Sequence, residues 1–383
     1  MSTGFDMRLI QRGARLRRTP YFEATQRYGA QGYTVYNHMF FPIQFDDLEK
    51  EYEALLNDVT VWDVSVERNV EITGPDAFAL ANLLTPRDLS KCAVGQGRYV
   101  IITAEEGGII NDPVLMRLGE NHFWLALADS DVLLWAKGVA VHSGLKVNIA
   151  EPDVSPLQIQ GPKSKHVVQK LFGDPVLELP YYFFLETNLD GIPVIVTRTG
   201  WSAEVGYEIY LRDSSRGVEL WERVMATGRP FNIVPTGPSD IRRIEAGILN
   251  YGADITLDTN PYEVGLSWLI DDDKPADYIG KAALQRIKAE GVKRKLVGIE
   301  IEGDRIEFNM TRWAVNVDNQ YIGHVTSAIY SPRLKKNIGY ALVPIGFAAP
   351  GTTYTVMVED REARAATVVP KPFVDPKKDI PKS

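Results

Sequence analysis

Residues 198 to 210 read Arg-Thr-Gly-Trp-Ser-Ala-Glu-Val-Gly-Tyr-Glu-Ile-Tyr, and this stretch holds the side chains best suited to gripping a flat, polar ligand. A β-branched run from Ile192 to Thr199 leads into it, Gly200 and Gly206 bracket a short polar turn, and Tyr207 to Leu211 resumes strand alternation. The spacing predicts strand, turn, strand. Glu208 and Tyr210 lie two apart and so share one face, while Trp201 falls in the turn, where an indole ring must find something to pack on. A carboxylate with aromatic neighbours suits a heterocycle bearing N–H donors, because charge-assisted pairs are both strong and directional. From these residues alone, an ordinary hairpin with a solvated Glu208 fits equally well.

A second polar constellation lies upstream. Tyr99 opens a strand just after Gly95 and Gly97, and Asn111 and Asp112 end the hairpin that turns at Gly107 and Gly108. Both positions can aim side chains into an opening. For Tyr99, packing in a core is the equal alternative.

The elements that must carry these residues follow from periodicity. Asp46 to Leu56 is helix-like, with Leu48, Tyr52, Leu55 and Leu56 on one side. Val70 to Ile72 reads as a strand, Pro75 to Leu84 as a helix, and Arg98 to Thr103, Pro113 to Arg117 and His122 to Leu127 as further strands before a helix over Asp129 to Val141. Gln158-Ile-Gln160, a helix over Ser164 to Phe172, the Trp201 hairpin, and helices at Val218 to Ala226 and Ser239 to Ala246 form the next α+β stretch. Beyond the helix that starts at Lys281, short strands dominate to Val369, with turns at Gly303-Asp304, Asp318-Asn319 and Pro350-Gly351, the pattern of a small β-barrel or jelly roll. The domains expected are 1–49 with 150–280, 50–149, and 281–372, followed by a mobile tail over 373–383 that holds two prolines and three lysines.

Bulk properties narrow the function classes. With 383 residues, 45% of them hydrophobic, the chain can bury more than one core. A net charge of −8 argues against binding nucleic acid, which needs a basic surface to neutralise phosphates. The single cysteine, Cys92, excludes a disulfide framework and suits a reducing cytoplasm, and the five scattered histidines show no metal-ligand spacing. No run of apolar residues is long enough to span a membrane. The Arg-rich stretch from Met1 to Thr19 lacks the apolar segment of a secretory signal.

The Arg198 to Ile209 segment resembles the folate-binding signature of the glycine-cleavage T-protein (aminomethyltransferase) superfamily, usually Tyr-Thr-Gly-Glu-Asp-Gly-Phe/Tyr-Glu. Gly74 to Ala77, Glu105 to Asp112, Arg243 to Gly247, Tyr278 to Lys281 and Val325 to Pro332 agree with that family in order and spacing, so the resemblance runs from about Thr19 to about Val368. Tyr33 to Met39, Trp62 to Ser65, Thr85 to Asp88, Asn111 to Pro113 and Ser155 to Pro162 are most similar to its dimethylsulfoniopropionate demethylase branch.

The resemblance implies an α+β fold of three domains in a cloverleaf with an all-β end domain, and tetrahydrofolate as the one-carbon acceptor. It assigns Glu208 to the pterin, with Tyr210 and Tyr99 beside it, and Trp201 to a cationic methyl donor, with Tyr36 as a lesser partner beside Tyr181 and Tyr182. Arg243 ties Glu245 or a folate tail. Arg15 or Arg17 would meet a donor carboxylate, a solvated leader being the plainer alternative. Asp112 and Asn111 occupy the catalytic position, where aminomethyltransferases usually carry two Asp. A neutral amide is no general base, so Asn111 favours methyl over methylene transfer. Moving a methyl from a sulfonium or quaternary ammonium needs alignment more than acid–base chemistry. Two departures, no Trp over Gly173 to Tyr182 and Asn250 in place of Ser, concern the donor side. The expected activity is therefore demethylation of a small onium compound. An aryl methyl ether demethylase, an aminomethyltransferase and a non-catalytic folate-binding factor are the rivals, and a homodimer stays open.

Overall fold

The computed structural model describes residues 13, 15–359 and 361–383. The chain divides into two compact units. One comprises Met1–Val70, Glu151–Ser239 and Ile380–Ser383, and the other Glu71–Ala150 and Asp240–Asp379.

The first unit is built on a six-stranded sheet in the order Phe184–Leu189, Ile192–Thr197, Gly206–Leu211, Ser155–Gln160, Val59–Asp63, Ile233–Pro235. Only the last pair is parallel. Alternation divides each central strand between two environments. Val59, Val61, Leu157, Ile159, Tyr207, Ile209 and Leu211 point into an apolar core, covered by the helices Ser164–Phe172 and Gly217–Gly228 through Val167, Val168, Leu220, Trp221 and Val224. Their polar neighbours, Gln158, Gln160 and Glu208, therefore line the opposite face. That face is covered in part by a smaller apolar group of Leu55, Trp62 and Val64, with Phe41 and Trp201 packed on it. Leu55 comes from the helix Leu48–Asn57, capped at its first turn by the Asp47 carboxylate. Phe41 comes from a hairpin, Gly32–Tyr36 with Met39–Gln44, whose turn residues Asn37 and His38 both take positive φ.

In the second unit, a sheet in the order Asn148–Ala150, Asn69–Thr73, His122–Ala126, Val114–Gly119, Gln96–Tyr99 carries Tyr99 at its edge. A two-stranded ribbon, Ile102–Thr103 with Ile109–Asn111, turns through Gly107 at φ +86° and delivers Asn111 and Asp112. The end of the unit is a closed antiparallel barrel of Arg294–Ile301, Lys336–Pro344, Gln320–Ser331, Trp313–Val317, Thr353–Val358 and Glu362–Val369, filled by Val297, Ile299, Trp313, Val315, Val325 and Val356 among others. The barrel expected from the run of short strands is present. At the start of the C-terminal segment, the Phe373 and Val374 amides both donate to the Glu245 carbonyl.

Candidate active site

Glu208 is 3% exposed, so it is not the solvated residue of an ordinary hairpin. Its register explains why. It pairs across the ladder with Gln158 on one side and Thr197 on the other, both buried and pointing the same way. Gln158 Nε2 donates to Glu208 Oε1 at 2.6 Å, while Oε2 accepts from the hydroxyls of Thr199, Thr197 at 3.4 Å and Tyr210 at 3.2 Å. Burial pushes the carboxyl's pKa up, and these four donors pull it back toward the ionised form. Oε2 is saturated. Oε1 carries one donor, and an sp² oxygen can accept two.

Tyr210 is fully buried and spends its hydroxyl on Glu208. In the structure Tyr210 thus helps to hold the Glu208 carboxylate in place.

Beneath the loop over 198–205, Gln160 donates to the Thr199 and Tyr207 carbonyls, both at 3.3 Å, and accepts from Ser202 Oγ at 2.5 Å. A Cβ on Gly200 or Gly206 would come within 2.2 Å or 2.1 Å of Gln160 Oε1. Those glycines therefore make room for a buried amide rather than for a tight turn. The sequence reading gave Gln158, Gln160, Thr197 and Thr199 no role. The available signal was two glutamines spaced by two in an otherwise apolar strand.

Trp201 is half-buried, packs on the Leu55, Trp62 and Val64 group, and donates its backbone N–H to Gln158 Oε1 at 3.4 Å. Gln158 thereby links the indole-bearing loop to the Glu208 carboxylate. Tyr36 stands 5.7 Å from Phe41, ring centre to ring centre, and Phe41 packs on the same group as Trp201. Tyr181 and Tyr182 meet edge to face at 4.8 Å, and the Glu208 charge adds to burial in raising the Tyr181 pKa. The first unit thus holds a buried carboxylate and an aromatic group on one sheet face.

In the second unit Tyr99 OH donates to Asp112 Oδ2 at 2.8 Å. The Asp112 carboxyl is pushed up to about 7, chiefly by burial, with Asp254 adding to the rise. Its Oδ1 is buried without a hydrogen-bond partner among the described residues, which leaves one acceptor for a ligand N–H or a proton. Tyr99 is held in turn by Arg87, which donates to its carbonyl at 2.6 Å, and by Trp268, 6.1 Å away between ring centres.

Asn111 behaves differently from its neighbour. It is fully buried, donating to the Ala128 carbonyl at 3.0 Å and Ser130 Oγ at 2.8 Å, and accepting from the Ala128 amide at 3.1 Å. Its amide is thereby engaged in fixing the ribbon that presents Asp112.

Arg243 is engaged as well. It is fully exhausted inside the second unit by Asp240 at 2.6 Å, Asp254 at 2.9 Å and Ser327 at 3.0 Å, with no exposed surface to meet a folate tail. Arg15 is exposed. Arg17 pairs with Glu151 at 2.8 Å, and Arg68 takes the other oxygen of that carboxylate, at the wall of a cavity of about 570 Å³. That pairing occupies Arg17. Arg8 and Arg12 lie outside the described residues.

The first unit thus presents a buried carboxylate that can take a further N–H with an aromatic group on the same sheet face, and the second unit, by itself, presents a carboxyl poised near neutrality. Comparison with known proteins shows the family. The GCVT N-terminal domain family matches residues 7–274, and the glycine cleavage T-protein C-terminal barrel domain family matches residues 294–375. The chain is 40% identical to dimethylsulfoniopropionate demethylase DmdA of Ruegeria pomeroyi over 90% of its length and 94% of that protein's. It is 33% identical to an aminomethyltransferase of Bacillus cytotoxicus over 94% of its length and 98% of that protein's. The fold matches the crystal structure of glycine cleavage system aminomethyltransferase T from Bartonella henselae, with a TM-score of 0.85 at 24% identity, covering 94% of this chain and 98% of that one. The chain belongs to the glycine-cleavage T-protein superfamily. It is an enzyme of that family, with tetrahydrofolate as its cofactor.

Proposed function

We propose that the chain moves a methyl group from a small onium donor, dimethylsulfoniopropionate first among the candidates, to N5 of tetrahydrofolate. Glu208 Oε1 would hold a pterin N–H, and Trp201 would face the donor cation. Tetrahydrofolate supplies the nucleophilic amine. The methyl–sulfur bond breaks as the methyl–nitrogen bond forms, and the thioether leaves neutral with the electron pair of the broken bond. The proton displaced from nitrogen passes to solvent or to a base, and within its own unit Asp112, near 7 with Oδ1 lacking a hydrogen-bond partner among the described residues, is a carboxyl able to take one.

The observation that carries this reading is Asn111. Its amide is locked on Ala128 and Ser130, so the position where aminomethyltransferases usually carry a carboxylate offers no base to methylene chemistry. Similarity to the demethylase supports the same reading. The aminomethyltransferase reading is kept by one observation, the titratable Asp112 next door.

Mass spectrometry of the folate product decides between them. With tetrahydrofolate and a panel of sulfonium, quaternary ammonium and aryl methyl ether donors, 5-methyltetrahydrofolate should form from an onium donor. Primary 5,10-methylene-tetrahydrofolate with an amine or ammonia released would establish the aminomethyltransferase instead, and methyl transfer only from aryl ethers would establish the ether demethylase.

A further inference from the structure

The Arg198 side chain opens the Trp201 loop and is buried at its N-terminal end. It is 7% exposed, and its guanidinium stands 5.0 Å over the Tyr207 ring. Nη1 donates to the Gly206 carbonyl at 3.1 Å, at the far end of the same loop, and Nη2 donates to the Ser383 carbonyl at 2.7 Å. One rigid fork thus closes the loop across its two ends and holds a segment far away in sequence. That segment, Ile380–Ser383, is a short turn in which Ser383 N–H and Oγ both return to the Ile380 carbonyl, and Pro381 is buried. It belongs to the same compact unit as the loop. The main chain at Arg198 is fixed as well, its N–H on the Phe183 carbonyl and its C=O on the Tyr182 amide.

We propose that Arg198 is a positioning residue for the donor-side loop and that the segment Ile380–Ser383 is its brace. The physical reason lies in the loop's composition. It carries Thr199, Trp201 and Ser202, all of which must sit accurately, yet no regular ladder runs through it between Thr197 and Gly206. Such a segment opens readily unless its ends are pinned. Arg198 pins them with one hydrogen bond and is itself immobilised by the second. Removing the Ser383 acceptor leaves a buried guanidinium arm unsatisfied, which frees the side chain to leave Gly206.

The inference about donor binding rests on the function proposed above, whereas the brace itself does not. Hydrogen exchange over 198–205 reads the brace without any substrate. Deleting residues 380–383 should speed exchange there by about tenfold or more, with amides of the Ser155–Gln160 strand unchanged, and Arg198→Lys should do much the same because Lys cannot span both carbonyls. Combining the two should add little, since both remove one link. Unchanged exchange in the truncated chain, or fully additive effects, would overturn the brace. The donor KM of the truncated enzyme should rise roughly fivefold while folate affinity holds within about twofold. Faster exchange with an unaltered donor KM would keep the brace and remove Trp201 from the donor site. Should Arg198→Lys fail to fold, the truncation alone decides.

Discussion

Replacing Glu208 by Gln keeps the shape of the side chain but exchanges one acceptor for a donor among four neighbours that all donate. Folate affinity should fall by about 1.5 to 3 kcal/mol, the cost of losing a charge-assisted pair and mismatching its surroundings. Calorimetry on the folded variant checks it, and an unchanged Kd would remove Glu208 from the site. Trp201→Leu keeps an apolar side chain against Leu55 and Trp62 but removes the indole face. For an onium donor, kcat/KM should drop roughly 10-fold, in line with ~0.5 to 2 kcal/mol of cation–π attraction plus pocket shape, with folate affinity changed less. A neutral carbon isostere of the donor should bind the wild type more weakly than the cation does. Equal binding would refute the onium pocket. The residues for these tests were legible in the sequence because their types carry the chemistry. Gln158 and the two threonines were not, since a glutamine in an apolar strand acquires meaning only from what stands opposite it in the ladder.

At the scale of elements, the Trp201 hairpin differs from its sequence reading in an instructive way. The strands pair as the alternation predicts, but Gly200 and Gly206 border a loop seated on Gln160 rather than a tight turn. Gly206→Ala should therefore destabilise the protein by ~1 to 3 kcal/mol through overpacking against that amide, measurable by urea unfolding. Gln160→Ala in the same chain should recover part of the loss. If Gly206→Ala unfolds at the wild-type midpoint, the close approach is not what the glycine serves. The hairpin over 32–44 shows the opposite limitation: its turn, Asn37-His38, lacks the usual glycine and went unread, yet it supplies the Phe41 on which Tyr36 packs.

For the molecule as a whole, buried carboxyls set the response to pH. Asp63 is 1% exposed, accepts from Thr19 and the Ser65 amide, and is pushed up to about 6 by burial. A raised carboxyl holds its proton longer when folded, so its stabilising contribution is complete below an unfolded pKa of about 4 and is lost as pH rises through about 6. Between pH 5 and 7 this amounts to roughly 1 kcal/mol lost. Asp112, near 7, acts in the same direction. Asp63→Asn should remove its share, giving a smaller fall in unfolding free energy from pH 5 to 7 than the wild type shows, and an identical fall would refute the assignment. Composition, alternation and the run of short strands after Lys281 were enough to determine an α+β chain with an all-β end, barrel or jelly roll, because burial patterns with periods of 2 and 3.6 are local properties of the chain, whereas closure into a barrel is decided by strand pairing. The residues proposed for a folate and a cation were likewise visible, since charge and aromaticity belong to the side chain itself. Only the tertiary structure decided that Arg243 and Asn111 are spent on internal hydrogen bonds while Asp112 keeps a free oxygen, because burial and partnership depend on segments far apart in sequence: Asp254 and Ser327 for the first, Ala128 and Ser130 for the second.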